Sequence, residues 1–436
     1  MILSPTSFSP EAFALKSRFK SALASLLCVT CVVVSSCFAA RPAHAADPLA
    51  LSLPDALERA KLTGPEVKRA GFALREADAR RVNAGIVLPV NPRLAMDARP
   101  LISGGSGSWG YGATLDFLFD VGGAPRARVR EAEQFSAVAK ADLTMSRTSA
   151  RARALGGYVS AQIAELRVIE ADAALVVARR VLDATERRVN AGAGSELDAA
   201  SAQMQVAELE AARMAFERDR ATGLMDLRDA LDLESDVPLT LTSPVTDLPQ
   251  VGELSALLQR ALTTHPELKA IQARVALWTA TEERLGAEVF PKLGFYAGID
   301  SAPLSPTYGV LGLSVELPFA QRNQGPRAQS QRARESAEAD LVLEARLLQR
   351  AVVAALHSYE SSRRELERLS EKAVPAAERT LSFAEAGFQA GRFDVFRLLA
   401  AARDSLRVRA SRIDAIEAAW VARIELERAV GGEVKS

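Results

Sequence analysis

The chain has 436 residues, of which 48% are hydrophobic, 25% are charged and only 6% are aromatic. This apolar content allows extensive burial, but so few aromatic side chains are unusual for a conventional bulky core. Lysine plus arginine and aspartate plus glutamate balance at 54 each, so the charge gives no support for nucleic acid or another polyanion as a partner.

Residues 1–45 have the features of an export signal. Basic residues precede the apolar run ALASLLCVTCVVVSSCFAA (22–40), and AHA (43–45) supplies the small residues that a signal peptidase recognises. We therefore expect a signal peptide that is cleaved after residue 45. In addition, VSSC (34–37) resembles a lipoprotein processing site, and the alternative is a mature chain that begins with an acylated Cys37.

The rest of the chain is a tandem duplication. LERAKLTGPEVKRA (57–70) aligns with LQRALTTHPELKAI (258–271), and VNAGAGSELDAA (189–200) aligns with FQAGRFDVFRLL (388–399), at an offset of 199 to 202 residues. The duplication predicts four parts, which are a first copy at 47–236, a Pro- and Thr-rich linker at 237–250, a second copy at 251–432 and a tail at 433–436.

Each copy contains a predicted β-hairpin. Apolar residues alternate with small or acidic ones, and a loop of Gly, Ser or Pro joins the two runs of each copy. The predicted strands are about 92–102 and 109–121 in the first copy, and about 291–300 and 308–319 in the second. Strands of about ten residues with one apolar side are typical of membrane-spanning strands, although a half-buried soluble sheet alternates in the same way.

The other side of these strands carries acidic residues. Asp116, Asp120 and Glu316 alternate with the apolar positions and predict a hydrated lumen that favours cations; the alternative is ordinary filling of a polar face. Four strands leave unpaired edges that lipid does not tolerate, and closed membrane barrels need about eight strands or more. The chain must therefore assemble, and three copies would supply about twelve strands.

Long helical hairpins follow the strands, at about 124–233 and 324–430. Their apolar residues recur with a heptad-like spacing, which favours coiled-coil packing. Pro375 should bend the helix that contains it or open a local break. The hairpins should reverse at Gly192 and Gly391, because glycine adopts the backbone conformation that ends a helix abruptly.

These features together resemble the TolC-type outer-membrane efflux proteins over essentially all of 47–436. The resemblance is carried by the duplicated plan, the GPEV and HPEL openings, the APRA and GPRA joints, the AG tips and the terminal LERAVGG (426–432). In addition, LPFAQRNQG (317–325) is similar to a segment of the outer-membrane components of cobalt-zinc-cadmium exporters.

The resemblance implies a mainly helical fold with membrane β-strands. A homotrimer would form a twelve-stranded barrel in the outer membrane, continued by a long α-helical barrel in the periplasm. The helix tips would meet a periplasmic adaptor protein and an inner-membrane pump of the RND type. Heavy-metal cations are the first expected cargo, and drugs, other small molecules or a type I secretion duct are the alternatives.

The resemblance also implies a gate at the helix tips, formed here by Gly192, Asp198, Gly391, Asp394 and Arg397. Members of this family commonly carry acidic residues after the tip glycine, and Asp198 has such a position in the first copy. In the second copy, Arg397 stands where an aspartate is frequent. One hypothesis is that Asp198 and Arg397 pair and help to hold the entrance closed; the alternative is two separately solvated charges.

Other classes of protein fit less well. GSGSWG (105–110) matches a dinucleotide-binding pattern but joins two strands with no helix after it, and His265 and His357 lie in different parts of the repeat. We therefore expect no enzymatic activity, no cofactor, and no catalytic or metal-binding residue. A periplasmic adaptor carries a single helical hairpin, and a soluble coiled-coil scaffold has no need for four alternating strands.

Overall fold

The computed structural model describes residues 48–434, except for 87, 89, 101–108, 193, 303 and 304. The predicted signal peptide, Cys37 and most of the GSGSWG loop lie outside the described residues. No helix of the described ranges is long and apolar enough to cross a membrane.

The elements follow the duplicated order. They are β1 (Leu49–Leu51), α1 (Leu53–Thr63), α2 (Pro65–Ala84), β2 (Arg93–Pro100), β3 (Trp109–Asp120), α3 (Ala124–Asn190), α4 (Glu196–Leu231), β4 (Leu239–Leu241), α5 (Leu254–Thr264), α6 (Pro266–Ala287), β5 (Lys292–Ser301), β6 (Thr307–Glu316), α7 (Gln324–Arg368), a π-helical turn (Leu369–Ala373), α8 (Val374–Gln389) and α9 (Val395–Val430).

The two hairpins form one antiparallel sheet in the order β2-β3-β5-β6. β3 pairs with β5 from Tyr111 opposite Ser301 to Asp120 opposite Lys292, so the two copies of the repeat share a hydrogen-bonded ladder. The edges are β2 and β6, and neither has a second partner strand among the described residues.

β6 is shorter than the sequence predicts. It ends at Glu316 rather than at 319, and Leu317 and Phe319 lie beyond it, 66% and 79% exposed. The reason is Pro318, which has no backbone N–H to donate to a neighbouring strand. The apolar alternation continues past this residue in the sequence, but the ladder does not.

The long helices pack closely because small residues lie between them. α3 runs for 67 residues and packs along α4. An added Cβ at Gly157 would lie 3.0 Å from the Leu227 backbone nitrogen, and one at Gly223 would lie 2.8 Å from that of Ala161. Side chains at these two glycines would therefore force α3 and α4 apart.

The helix that contains Pro375 is interrupted, as the sequence predicts. The π-helical turn Leu369–Ala373 separates α7 from α8, and Pro375 lies in the first turn of α8. Proline cannot donate the i→i−4 hydrogen bond, and its ring crowds the carbonyl of residue i−4, here Glu371. The wider turn before Pro375 accommodates both effects.

The linker between the copies is folded onto the helices. β4 pairs in parallel with β1, which ties residues 239–241 to 49–51. The buried Tyr158 hydroxyl accepts from the Ser243 backbone N–H at 2.8 Å, and the Trp420 indole N–H donates to the Val245 carbonyl at 2.7 Å. Among the described residues, the largest hydrophobic core lies here, where side chains of α1, α3, α4 and α9 meet those of the linker.

A buried charged cluster joins the two copies near the C-terminus. Arg151 of α3 and Arg423 of α9 both contact the Glu427 carboxylate, and all three residues are at most 7% exposed. Arg423 also donates to the Val434 carbonyl, which fixes the end of the described chain against α9.

Candidate functional site

The two faces of the sheet differ in chemistry. One face is apolar, and its residues are largely exposed in the protomer, for example Leu311 at 76%, Met96 at 75% and Leu313 at 70%. By the register of the ladders, this face carries Leu94, Met96, Ala98, Tyr111, Ala113, Leu115, Phe117, Phe119, Leu293, Phe295, Ala297, Ile299, Leu311, Leu313 and Val315. An exposed apolar band of this extent requires a non-aqueous environment.

The opposite face is polar. Apart from Leu118 and Val310, its residues are small, hydroxylic or charged, and they include Arg93, Asp97, Arg99, Gly112, Thr114, Asp116, Asp120, Lys292, Gly294, Tyr296, Gly298, Asp300, Gly312, Ser314 and Glu316. The predicted lumen residues Asp116, Asp120 and Glu316 therefore share one face.

These three acidic residues have basic neighbours, which the sequence interpretation missed. In the register of the sheet, Asp116 lies opposite Arg93, and Glu316 lies opposite Lys292. The Asp120 carboxylate is 3% exposed and bonds to the Arg128 guanidinium at 2.5 Å. The alternation of β2 already places Arg93 and Arg99 on the polar side, but only the register shows which acidic residues they face.

A hollow of about 1120 Å³ lies where the sheet meets the helices. Asp120 and Lys292 of the polar face line it together with residues of α2, α3 and α6. Several charged groups along its wall are paired: the Arg284 guanidinium lies 2.6 Å from the Glu131 carboxylate and 2.9 Å from that of Glu288. The polar face of the sheet thus continues into a charged wall between helices.

The helix tips reverse at the predicted glycines. Gly192 has φ of +68° and Gly391 has φ of +70°, in the left-handed region that favours glycine. Each return helix then begins with a side-chain cap, because the Leu197 N–H donates to Ser195 Oγ at 3.2 Å and the Arg397 N–H donates to Asp394 Oδ1 at 2.8 Å. Asp394 therefore has a structural role as the N-cap of α9.

The predicted pairing of Asp198 with Arg397 is not formed within the described residues of one protomer. The Arg397 guanidinium instead lies over the Phe393 ring, 5.4 Å from its centroid. Phe393 folds back against Gly387, where an added Cβ would collide with the ring. This Phe393 contact positions the Arg397 side chain, and the first copy offers no equivalent because Gly194 occupies the corresponding position.

Potential metal ligands are dispersed. Across the part of the chain that the structure describes, no group of three or more His, Cys, Asp and Glu side chains is placed to hold a metal ion. His265 is occupied in the fold, where its Nδ1 accepts from the Glu267 N–H at 3.3 Å and its Nε2 lies 3.1 Å from the Arg428 carbonyl oxygen.

Comparison with known proteins places these features in a family. The model of the family described as outer membrane efflux protein matches residues 59–232 and 257–432. The cobalt-zinc-cadmium resistance protein CzcC of Cupriavidus metallidurans is 27% identical over 327 residues, which cover 73% of this chain and 76% of that protein.

Solved structures show the same fold. VceC from Vibrio cholerae has a TM-score of 0.72 at 19% identity, with 87% of this chain and 96% of that chain covered. CusC, whose structure is described in terms of transmembrane channel formation, has a TM-score of 0.72 at 17% identity, with coverage of 88% and 93%. These likenesses confirm the predicted TolC-like fold of duplicated helices and hairpins.

Proposed function

The chain belongs to the outer membrane efflux protein family, and from this premise we propose that three copies form the outer-membrane duct of a tripartite export system. As a member of this family it is an outer-membrane efflux channel. The trimer, its partners and its cargo are the parts of the function that are proposed here.

The open sheet is the observation that carries the proposal. In lipid, every backbone N–H and C=O must be paired, and within the described part of one protomer the edges β2 and β6 are open. Pairing of β6 with β2 of the next copy keeps the antiparallel alternation. Three protomers of four strands then close a barrel of twelve strands, with the apolar face toward lipid and the polar face toward water.

The helices support the same assembly. α3 contacts α4, α6 and α9, and α6 and α9 contact α7, an order that puts α4 and α7 at opposite ends of the helical layer. Both carry exposed apolar side chains, namely Met204, Met214 and Met225 on α4 and Val342, Leu343 and Leu347 on α7. These two edges would meet between neighbouring protomers and continue the layer into a closed helical barrel.

The duct is passive and depends on partners. The helix tips at Gly192 and Gly391 lie at the end of the hairpins remote from the sheet, where a periplasmic adaptor protein would dock. An inner-membrane pump of the RND type would supply the energy. Asp198 and Arg397 lie beside these tips and would take part in the gate, although not as a pair within one protomer.

Heavy-metal cations are the proposed cargo, and the similarity to the cobalt-zinc-cadmium resistance protein CzcC supports this. The test compares a deletion strain with the same strain complemented by the wild-type gene, for growth in cobalt, zinc and cadmium salts and against a panel of drugs, and scores the sensitivities that complementation reverses. Sensitivity to metals alone supports metal efflux. Sensitivity to drugs alone assigns the duct to small-molecule export and contradicts the metal proposal.

The membrane sheet can be tested with neighbouring residues that lie on opposite faces of β6. Leu313→Lys places a charge on the apolar face, where an amine near the middle of the bilayer costs about 2–4 kcal/mol per strand. Ser314→Lys places the same charge on the polar face. We expect Leu313→Lys to abolish recovery of trimers from outer membranes and Ser314→Lys to retain it. Equal recovery of the two variants would contradict the assignment of the faces.

A further inference from the structure

The end of the sheet remote from the helices contains very few charges. Between Leu94 and Leu115, and between Leu293 and Val315, the sequence has three charged residues, which are Asp97, Arg99 and Asp300. The connecting segments within these stretches, including LISGGSGS (101–108) and APLSP (302–306), are uncharged. Any electrostatic preference of this half of the barrel must therefore come from these three side chains.

The three side chains form one cluster on the polar face. Asp97 lies opposite Gly112, and Gly112 lies opposite Asp300, so the two carboxylates belong to strands on either side of β3. Arg99 bonds to Asp97 at 2.8 Å and also to Asp300, which requires its guanidinium to cross β3. Gly112 makes this crossing possible, because an added Cβ there would collide with the Asp97 carboxylate.

The cluster has an excess of negative charge, whereas the rest of the polar face is balanced. Nearer to the helices, Asp116 lies opposite Arg93, Glu316 lies opposite Lys292, and Asp120 is paired with Arg128. Three basic residues thus face these three acidic ones, with Lys292 lying opposite both Asp120 and Glu316. Asp97 and Asp300 share the single cation Arg99, and their side chains are 58% and 41% exposed, so the remaining charge faces water.

We propose that the Asp97–Arg99–Asp300 cluster sets the charge selectivity of the barrel, with Asp97 and Asp300 favouring cations and Arg99 limiting that preference. The inference rests on the proposed trimeric duct, in which three clusters form a ring of net charge −3 near the outer mouth. This ring lies about 13 Å from the balanced layer of Asp116 and Arg93, because Asp116 lies four positions after Gly112 along β3. That distance exceeds the Debye length of about 10 Å at 0.1 M salt, so the ring acts largely independently of that layer.

Reversal potentials measure this selectivity directly. The purified full-length trimer is inserted into a planar lipid bilayer under a gradient of potassium chloride, and the permeability ratio of potassium to chloride is determined. Arg99→Gln leaves two unpaired carboxylates in each protomer, and we expect it to raise this ratio about two- to fivefold. Asp97→Asn combined with Asp300→Asn should lower the ratio below that of the wild type.

Two control variants separate charge from damage to the fold. Arg99→Gln combined with Asp300→Asn restores the wild-type net charge and should return the ratio to the wild-type value. Lys61→Gln removes the same charge from α1, which packs against α3 rather than the sheet, and should leave the ratio unchanged.

The outcomes distinguish the inference from the proposed function. A wild-type trimer that conducts, together with an Arg99→Gln variant of the same permeability ratio, overturns the inference and leaves the duct intact. An elevated ratio that persists in the charge-restoring double variant also overturns it. A wild type that forms no conducting units contradicts the duct itself and, with it, the inference that rests on it.

Discussion

The buried Arg151–Glu427–Arg423 cluster gives a quantitative prediction for stability. Glu427→Gln preserves the shape of the side chain but removes the single anion that both guanidinium groups contact. All three residues are at most 7% exposed, so water cannot replace the lost charge. Breaking a buried ion pair by neutralising one partner costs about 3–5 kcal/mol, and we expect a loss of this size in each protomer.

The expected change in melting temperature follows from the size of the protein. At about 2.1 cal/mol/K per residue, a folded chain of roughly 390 residues has an unfolding entropy near 0.8 kcal/mol/K. A loss of about 3–5 kcal/mol therefore lowers the melting temperature by about 4–6 °C. Differential scanning calorimetry of the detergent-solubilised protein, at one scan rate for all variants, measures this change.

Glu425→Gln is a matched control on the same helix. Glu425 pairs with Arg428 at 2.7 Å, but both side chains are more than half exposed. Such surface pairs contribute about 0–1 kcal/mol, so we expect a change of roughly 1 °C or less. If Glu427→Gln melts within 1 °C of the wild type, or no lower than Glu425→Gln, the buried cluster does not stabilise the protein as argued.

Two further predictions concern the helix tips and the pH dependence of stability. Asp394→Ala removes the N-cap of α9 and should destabilise that end of the helix by about 0.5–2 kcal/mol. We expect faster amide hydrogen exchange confined to the second tip. Exchange unchanged from the wild type would contradict the capping role. Burial and the neighbouring Glu267 raise the pKa of Glu344, so the folded state holds the Glu344 proton more tightly than the unfolded state does. The contribution of this protonated carboxyl to stability is therefore lost as pH rises through the pKa of the folded state. Glu344→Gln should therefore stabilise the protein increasingly from pH 4 to pH 7. Glu335→Gln should destabilise it increasingly over the same range, because a hydrogen bond from Arg332 lowers the pKa of Glu335. Melting curves across that pH range measure both effects, and a change of the same sign in both variants would refute the argument.

Local patterns in the sequence were sufficient to predict the elements of the fold. Period-two alternation identified β3 and β5, and the duplication supported each interpretation with a second copy. The glycines at 192 and 391 marked the reversals, and Pro375 marked the interruption of a long helix. Each of these features depends on the backbone chemistry of a few consecutive residues, which the sequence displays directly.

The contacts within the candidate site could not be predicted in the same way. The pairing of β3 with β5 joins residues about 180 positions apart, and the contact of Arg99 with Asp300 across β3 depends on that register. From the sequence, the opposite charges of Asp198 and Arg397 suggested an ion pair between them. In the structure, the Arg397 guanidinium lies over the Phe393 ring instead. Alternation assigns a residue to a face, but only the packed sheet and helices determine its neighbours on that face.

The β3–β5 ladder has a consequence for how the proposed ring comes apart. Around a closed trimer, six seams join neighbouring hairpins, and they are of two kinds. Three lie inside a polypeptide, where the intervening helices tether both strands; the other three lie between separate polypeptides and are held by non-covalent bonds alone. Gentle disassembly should therefore always open the second kind, and each released subunit should keep a curved ribbon of four strands rather than two loose hairpins.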